Sequence, residues 1–410
     1  MGKLVLAGAR VSDGESAPSA KTLVVVDGLI AEIRPGAAKG DWEADARVID
    51  LAGHVLVPGL IDAHTHLLMS GDIGGYEKEL LKDGVPLRTL RAAAHARMAI
   101  DDGVLTMRDV CTEGAGYADV ALREAIRSGV CEGPRLLPSG PGIGTTGGYL
   151  PTGFAHGVCV PRGCATVDGA DQARREVREQ VSHGVAWIKV FADWFATDAV
   201  TGDTRELPTF SPPELFAIVD EAARRGVRVA AHVTSDAGAR EAIAAGVASI
   251  EHLGPLSRET LDLAVARGVV LVPTLSVVEH MLAAALDEKK RDRAKRRIEA
   301  ARAAFKRALA SGIQIALGTD IGAYPHARGS RIELGHLMDY GMSDQQALRA
   351  ATRAAADLLR IPQIGRIAVG TVADLCAFAG DAVGAALTGA RPALVVQGGA
   401  VLRDKLSAAR

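Results

Sequence analysis

Seven times along this chain a helix-like stretch ends in glycine, a valine or isoleucine follows at once, and a short apolar run begins. The joints are Gly103-Val104, Gly129-Val130, Gly184-Val185, Gly226-Val227, Gly246-Val247, Gly268-Val269 and Gly312-Ile313. Glycine suits the left-handed position after a helix, and a β-branched residue suits the strand that follows. With an opening apolar run at Val55–Ala63, the joints predict eight strands. The other seven are Leu105–Val110, Arg135–Ser139, Ala186–Phe191, Arg228–His232, Ala248–His252, Val270–Thr274 and Gln314–Thr319. Amphipathic runs such as Asp171–Ser182, Pro213–Arg225, Asp236–Ala245 and Ser257–Arg267 lie between them. Eight β–α units with nearly continuous apolar strands predict an α/β chain folded as a closed (β/α)8 TIM barrel. The competing doubly wound open sheet is disfavoured because no G-x-G-x-x-G follows the first strand.

The two ends of the chain have a different style. Thr22–Val26 meets an Asp27-Gly28 turn and continues as Leu29–Ile33, a hairpin signature. Ala393–Gln397, Gly398-Gly399 and Ala400–Arg403 repeat it near the other end. We therefore expect residues 1–56 and 363–410 to pair in one small accessory β-sandwich domain, with the barrel over 57–362.

Composition narrows the function by exclusion. A formal net charge of −2 with scattered Lys and Arg argues against a nucleic-acid or membrane partner. No run approaches the ~20 apolar residues of a membrane span, and the first ten residues are too short in apolar length for a signal peptide. Five cysteines without a C-x-x-C pair read as free thiols in a reducing compartment, so a cytoplasmic protein is expected. Two segments stand apart from the repeat. The Gly- and Pro-rich stretch 140–163 lacks the Gly-Lys-Ser/Thr ending of a phosphate loop and reads as a wall or lid of a barrel site. The basic run from Glu288 to Arg307, interleaved with Glu and Ala, reads as a solvated outer helix.

In a parallel barrel the strand ends converge on one site. The first strand ends in His64-Thr65-His66, whose two imidazoles point the same way because side chains alternate along a strand. The fourth places Lys189 in Trp-Ile-Lys-Val-Phe, the fifth ends at His232, the sixth at Glu251-His252 and the eighth at Asp320. Four histidines, an aspartate and a buried-type lysine at matching positions on five strands suit divalent metal ligation. Isolated hydrogen-bonded histidines and a helix-capping Asp320 are the blander readings, and the shared placement argues against them. A charged lysine is costly to bury alone. It can pair with a buried carboxylate, or react with carbon dioxide to give an anionic carbamate that bridges two ions.

These residues also carry a family resemblance. The chain resembles the amidohydrolase superfamily over essentially its full length, through Pro58-Gly-Leu-Ile-Asp-Ala-His64-Thr-His66, Lys189, His232, Ile250-Glu-His252, Gly318-Thr-Asp320 and Gly365-Arg-Ile-Ala-Val-Gly-Thr-Val-Ala-Asp374. Within it, Lys189 and Gly318–His326 are similar to the imidazolonepropionase-like branch with Xaa-Pro dipeptidases, acyl-amino-acid carboxypeptidases and ochratoxin-type amidases. The resemblance implies two divalent ions, zinc foremost. His64, His66 and Asp320 would bind one, His232 and His252 the other, and Lys189, as N6-carboxylysine formed with carbon dioxide, would bridge them. It further implies attack of a metal-bridging hydroxide on an amide, with Asp320 as the catalytic acid/base, and assembly into a homo-oligomer. The run His232-Val-Thr-Ser235 departs from dipeptidases of the branch, which carry an aromatic residue or histidine there. Substrate contacts are therefore expected from Tyr149 and His156 of the long segment and from His326 and Arg328 after Asp320. A mononuclear deaminase, a lactonase or phosphotriesterase, and a non-catalytic relative are the alternatives. Ser235 stands where such deaminases commonly have glutamate.

Overall fold

The computed structural model describes residues 2–15, 17–37, 42, 46–72, 76–198, 200–284 and 287–406. The chain divides into two compact units. One comprises Met1–Asp62, Arg97–Thr106 and Gly329–Arg410, the other Ala63–Ala96 and Met107–Arg328.

The first unit is organised by a mixed sheet drawn from both ends of the chain. Its order is Ala400–Asp404, Leu394–Gln397, Leu375–Ala379, His54–Pro58, Leu4–Val11, Ser19–Val26 and Leu29–Pro35, with Arg47–Asp50 also paired to Leu4–Val11. Asp27 and Gly28 both take positive φ, 50° and 83°, which lets a two-residue turn match the twist of its strands. Gly398 and Gly399 do the same at the other hairpin. Leu6, Leu23, Ile30, Leu56, Leu375 and Leu394 are wholly buried in the core beneath this sheet.

The expected opening strand Val55–Ala63 is two strands, His54–Pro58 and Leu60–Thr65. The chain changes hydrogen-bond partners at the break, Gly59 N donating to Asp374 O at 2.7 Å and Leu60 N to Gly103 O at 3.0 Å. A Cβ on Gly59 would stand 2.5 Å from Leu105 Cδ1, so the close approach requires glycine.

The strands of the repeat form a distorted (β/α)8-like barrel. Leu60–Thr65, Val104–Asp109 and Arg135–Pro138 make one sheet. Trp187–Phe191, Arg228–His232, Ser249–Glu251 and Val270–Val272 run parallel in a second. Ala186 N donates to Pro138 O at 2.7 Å and links the two. The expected eighth strand forms single bridges instead of a ladder, at Leu271↔Ile315 and Thr65↔Ile321. It still closes the ring, since Ala316 N donates to Leu271 O and Ala63 N to Leu317 O. Crowding explains the irregularity, because even a Cβ on Gly318 would lie 2.3 Å from Val272 and 2.7 Å from His64 Cβ. All seven joint glycines take positive φ, between 64° and 98°.

The amphipathic runs are helices at Ala170–Ser182, Pro212–Arg224, Asp236–Ala245 and Arg258–Arg267. The basic helix Glu288–Ser311 buries Ala294, Ile298, Ala301, Phe305 and Ala308, one stripe at helical spacing. The segment after Ile143–Gly144 lines a cavity of about 780 Å³ before returning at Ala165–Thr166. Cys111, Cys131, Cys159, Cys164 and Cys376 are free thiols. Among the described residues no helix is long and apolar enough to cross a membrane.

Candidate metal centre

His64 is the fifth residue of its strand, and its side chain is wholly buried. The irregular closing segment brings Asp320 beside it, and the short sixth strand delivers His252 one residue past its end. One ligand atom from each of His64, His252 and Asp320 lies within 4.8 Å of the others. Asp320 Oδ1 stands 3.5 Å from His64 Nε2 and 3.1 Å from His66 Nε2, while Oδ2 is 3.9 Å from His252 Nδ1. The His232 ring lies 4.4 Å from the His252 ring, centroid to centroid. Lys189, 1% exposed, is two residues before Phe191, which pairs in register with His232. His252 and Asp320 hold φ at 74° and 60°, left-handed values that non-glycine residues rarely take. Such strain persists only where the surroundings enforce it, and it clusters at functional sites.

Buried polar partners orient the first histidines. Glu251 Oε2 accepts from His64 Nδ1 at 2.7 Å. Glu251 Oε1 accepts from Arg108 Nη2 at 2.8 Å and from Ser249 Oγ. Burial alone would raise the Glu251 carboxyl, but Arg108 and His64 outweigh it and hold it at about 2. An ionised carboxylate can only accept, so Nδ1 of His64 carries a proton and Nε2 faces the cluster. His66 Nδ1 likewise donates to Cys111 O at 3.0 Å and turns Nε2 toward Asp320.

The charge states suit a cation. Burial holds His232 and His252 well below the ordinary histidine value, so both are neutral. Burial opposes ionisation of Asp320, but bonds to His64 and His66 overcome it and lower its carboxyl well below the usual range. Neutral His232 and His252 beside an ionised carboxylate suit a divalent transition metal. Burial would lower the His66 imidazole, but Asp320 outweighs it and holds it up at about 9, with a proton that a bound cation would displace. Lys189 Nζ and His232 Nε2 are buried with no hydrogen-bond partner among the described residues. A buried polar atom without a partner is destabilising by itself, so two such atoms beside the cluster fit a site that an ion completes. Burial also pulls the Lys189 amine below its ordinary value.

The four expected substrate contacts are placed differently. Tyr149 stacks on Phe191 at 3.6 Å, and Phe191 in turn lies 5.7 Å from the His232 ring. His156 is exposed on the cavity-lining loop. His326 is buried, with Nε2 bonded to Met69 O at 3.1 Å and its ring stacked on His95 at 3.6 Å. Arg328 is exposed and bonds His280 Nδ1 at 2.9 Å. Sequence reasoning missed Glu251, Arg108 and Asp193. Asp193 accepts from the backbone of Thr234 and Ser235 and from the Ser235 hydroxyl, fixing the turn after His232. An arginine inside the apolar strand Leu105-Thr-Met-Arg108 was the one available signal for the buried pair.

Residues 55–401 match the amidohydrolase family. Ochratoxinase of Aspergillus niger is 31% identical over 351 residues, 79% of this chain and 70% of that protein. Imidazolonepropionase of Anaeromyxobacter dehalogenans is 28% identical over 403 residues, 91% of this chain and 88% of that one. Among solved structures, a Xaa-Pro dipeptidase with bound methionine in the active site superposes with a TM-score of 0.83 at 27% identity, covering 98% of this chain and all of that one.

Proposed function

This chain belongs to the amidohydrolase family, and on that premise we propose that it is a metal-dependent hydrolase of C–N bonds acting on a small amide. The substrate class is an N-acyl amino acid, a dipeptide or an aryl amide, and the likeness to ochratoxinase and to a Xaa-Pro dipeptidase supports an amide or peptide bond. The observation that carries the reading is the buried cluster of His64, His252 and Asp320 at the barrel's strand ends.

Those three residues would hold a divalent ion, and zinc matches the imidazole and carboxylate donors. Such an ion polarises a carbonyl and lowers the pKa of water enough to supply hydroxide near neutral pH. The chain's own groups do the rest. Asp320, held ionised, takes the proton of the attacking water on a carboxylate oxygen and returns it to the departing amine nitrogen. Glu251 holds a proton on His64 Nδ1, and the Cys111 carbonyl holds one on His66 Nδ1, so each ring presents Nε2 toward Asp320 and the ion the site would hold. Ser235 caps the helix Asp236–Ala245 by accepting from Gly238 N and donates to Asp193, which leaves it no acid role of the deaminase kind.

A second reading has its own observation. Lys189 Nζ and His232 Nε2 have no hydrogen-bond partner among the described residues, which fits a two-ion centre with carboxylated Lys189 between the ions. In that step Nζ bonds to the carbon of carbon dioxide and loses one proton to water, leaving a carbamate anion. His64, His66 and Asp320 would then serve one ion, and His232 and His252 the other.

Metal analysis of the purified protein separates the readings. One ion per chain, retained in Lys189→Ala, supports the single centre. Two ions, with at least one lost in Lys189→Ala, support the bridged centre. A hydrolysis screen over N-acyl amino acids, Xaa-Pro dipeptides, aryl amides and lactones tests the amide assignment. Turnover of lactones alone would remove it.

A further inference from the structure

The chain has only seven Phe, five Tyr and three Trp, yet Tyr149, Phe191 and Trp194 gather against one histidine of the candidate centre. The Trp194 ring lies 5.1 Å from the His232 ring and 4.6 Å from Tyr149, nearly edge-on to the latter. Tyr149 stacks on Phe191 with 19° between the planes. Three separate segments supply these rings. Phe191 ends the strand that carries Lys189. Trp194 opens the hairpin formed by Asp193–Thr197 and Thr204–Pro208, and Tyr149 comes from the long loop after Gly144.

Tyr149 is held from behind by a bracket of polar bonds. Its hydroxyl donates to Glu113 Oε1 at 2.9 Å, and Tyr76 donates to Oε2 at 2.7 Å. Burial and the Glu113 charge push the Tyr149 phenol far above its usual range, so it stays a donor. The bracket is itself fixed, because buried Arg88 bonds the carbonyls of Leu68, Thr112 and Glu113 and holds the turn in which Glu113 has φ 49°. The ring therefore cannot swing away without breaking several buried bonds.

Core packing is the plain alternative, and exposure argues against it. The core aromatics Phe305, Phe378 and Tyr340 are at most 1% exposed, whereas Tyr149 and Trp194 are half-buried, and Phe191, 3% exposed, backs Tyr149 as its stacking partner. Rigid rings left partly open beside a buried histidine offer an aromatic guest offset or edge-to-face partners.

We propose that Tyr149 and Trp194, with Phe191 backing Tyr149, form a subsite beside His232 that takes a planar aromatic ring carried by one of the two groups the amide joins. The inference rests on the amide-hydrolase reading and adds the substrate class to it. The test compares kcat/KM of the metal-loaded protein for N-acetyl-phenylalanine and N-benzoyl-glycine with that for N-acetyl-alanine and N-acetyl-glycine. At least one aromatic member should be favoured by roughly tenfold or more, the scale of one or two good ring contacts. Trp194→Ala should collapse that ratio chiefly through KM, while Trp194→Phe should keep most of it, which separates loss of the ring from loss of fold. Equal rates for the aromatic and aliphatic members, or a ratio unmoved in Trp194→Ala, overturn the subsite and leave the amide reading standing. If no amide is cleaved, that reading fails alone, and calorimetry with phenylalanine and benzoate against alanine and acetate decides the subsite. Tighter aromatic binding that is lost in Trp194→Ala supports it, and equal or absent binding overturns it.

Discussion

The two flanks of the candidate centre are built by opposite means. On the His64 flank every ring has its second nitrogen committed, to Glu251 or to the Cys111 carbonyl, and Glu251 is neutralised by Arg108. On the His232 flank Lys189 Nζ and His232 Nε2 have no hydrogen-bond partner among the described residues, Asp193 standing 4.0 Å from His232 Nε2, and aromatic rings are the nearest neighbours. A satisfied polar network aims its ligands before anything binds. The other flank holds its polar atoms among aromatic rings without such bonds. One side of the site is thus fixed by hydrogen bonds, and the other by ring packing.

That contrast can be broken in steps of decreasing size. Removing the acid/base at the junction of the flanks should have the largest effect. Asp320→Asn is expected to lower kcat/KM at least about a thousandfold, the range of general acid–base catalysis joined to a lost ligand. Activity within tenfold of the parent would mean that Asp320 has neither role.

On the hydrogen-bonded flank, Glu251→Gln leaves the buried Arg108 charge uncompensated and lets the His64 ring relax. Breaking one partner of a buried ion pair is destabilising by about 3–5 kcal/mol. Loss of the carboxylate behind a metal-binding histidine typically weakens metal affinity about 10- to 100-fold. Urea unfolding of the metal-stripped protein and a competitive metal titration read the two effects separately. Unchanged values in both would show that the network does not aim His64.

The ring-packed flank should respond in the other direction. Lys189→Met replaces an unpartnered amine by an apolar chain of similar length, so the metal-stripped protein should be no less stable, or more stable by about 1 kcal/mol. A loss of several kcal/mol in the same urea experiment would show that Lys189 has a structural partner. The smallest effect is expected at His156, exposed on the cavity-lining loop, where His156→Ala should change stability by less than about 0.5 kcal/mol. A larger shift would tie that loop to the fold of the site.

Much of this was legible before any coordinates. The seven glycine joints carry a local requirement, positive φ followed by a β-branched start, and all seven obey it. The period of the barrel follows from it, and so does the matched placing of His232 and His252, each six residues after its joint glycine. Other features needed contacts between distant residues. Val55–Ala63 reads as one apolar run because both halves are buried, and only the change of partners from Asp374 to Gly103 splits it. His326 reads in the sequence as a substrate contact, since nothing nearby announces that His95 will stack on it. Glu251 lies next to a recognisable histidine, but its partner Arg108 is 143 residues away.

By itself, then, the sequence determined the repeating unit, the strand-end positions of the metal-type residues and the family. These follow from backbone preference and side-chain type, which are local properties. Tertiary structure alone decided which ligand atoms approach Asp320, which nitrogen of His64 bonds to Glu251, and where a sparse set of aromatic rings meets. Those depend on distances across the barrel, and a one-dimensional pattern does not contain distances.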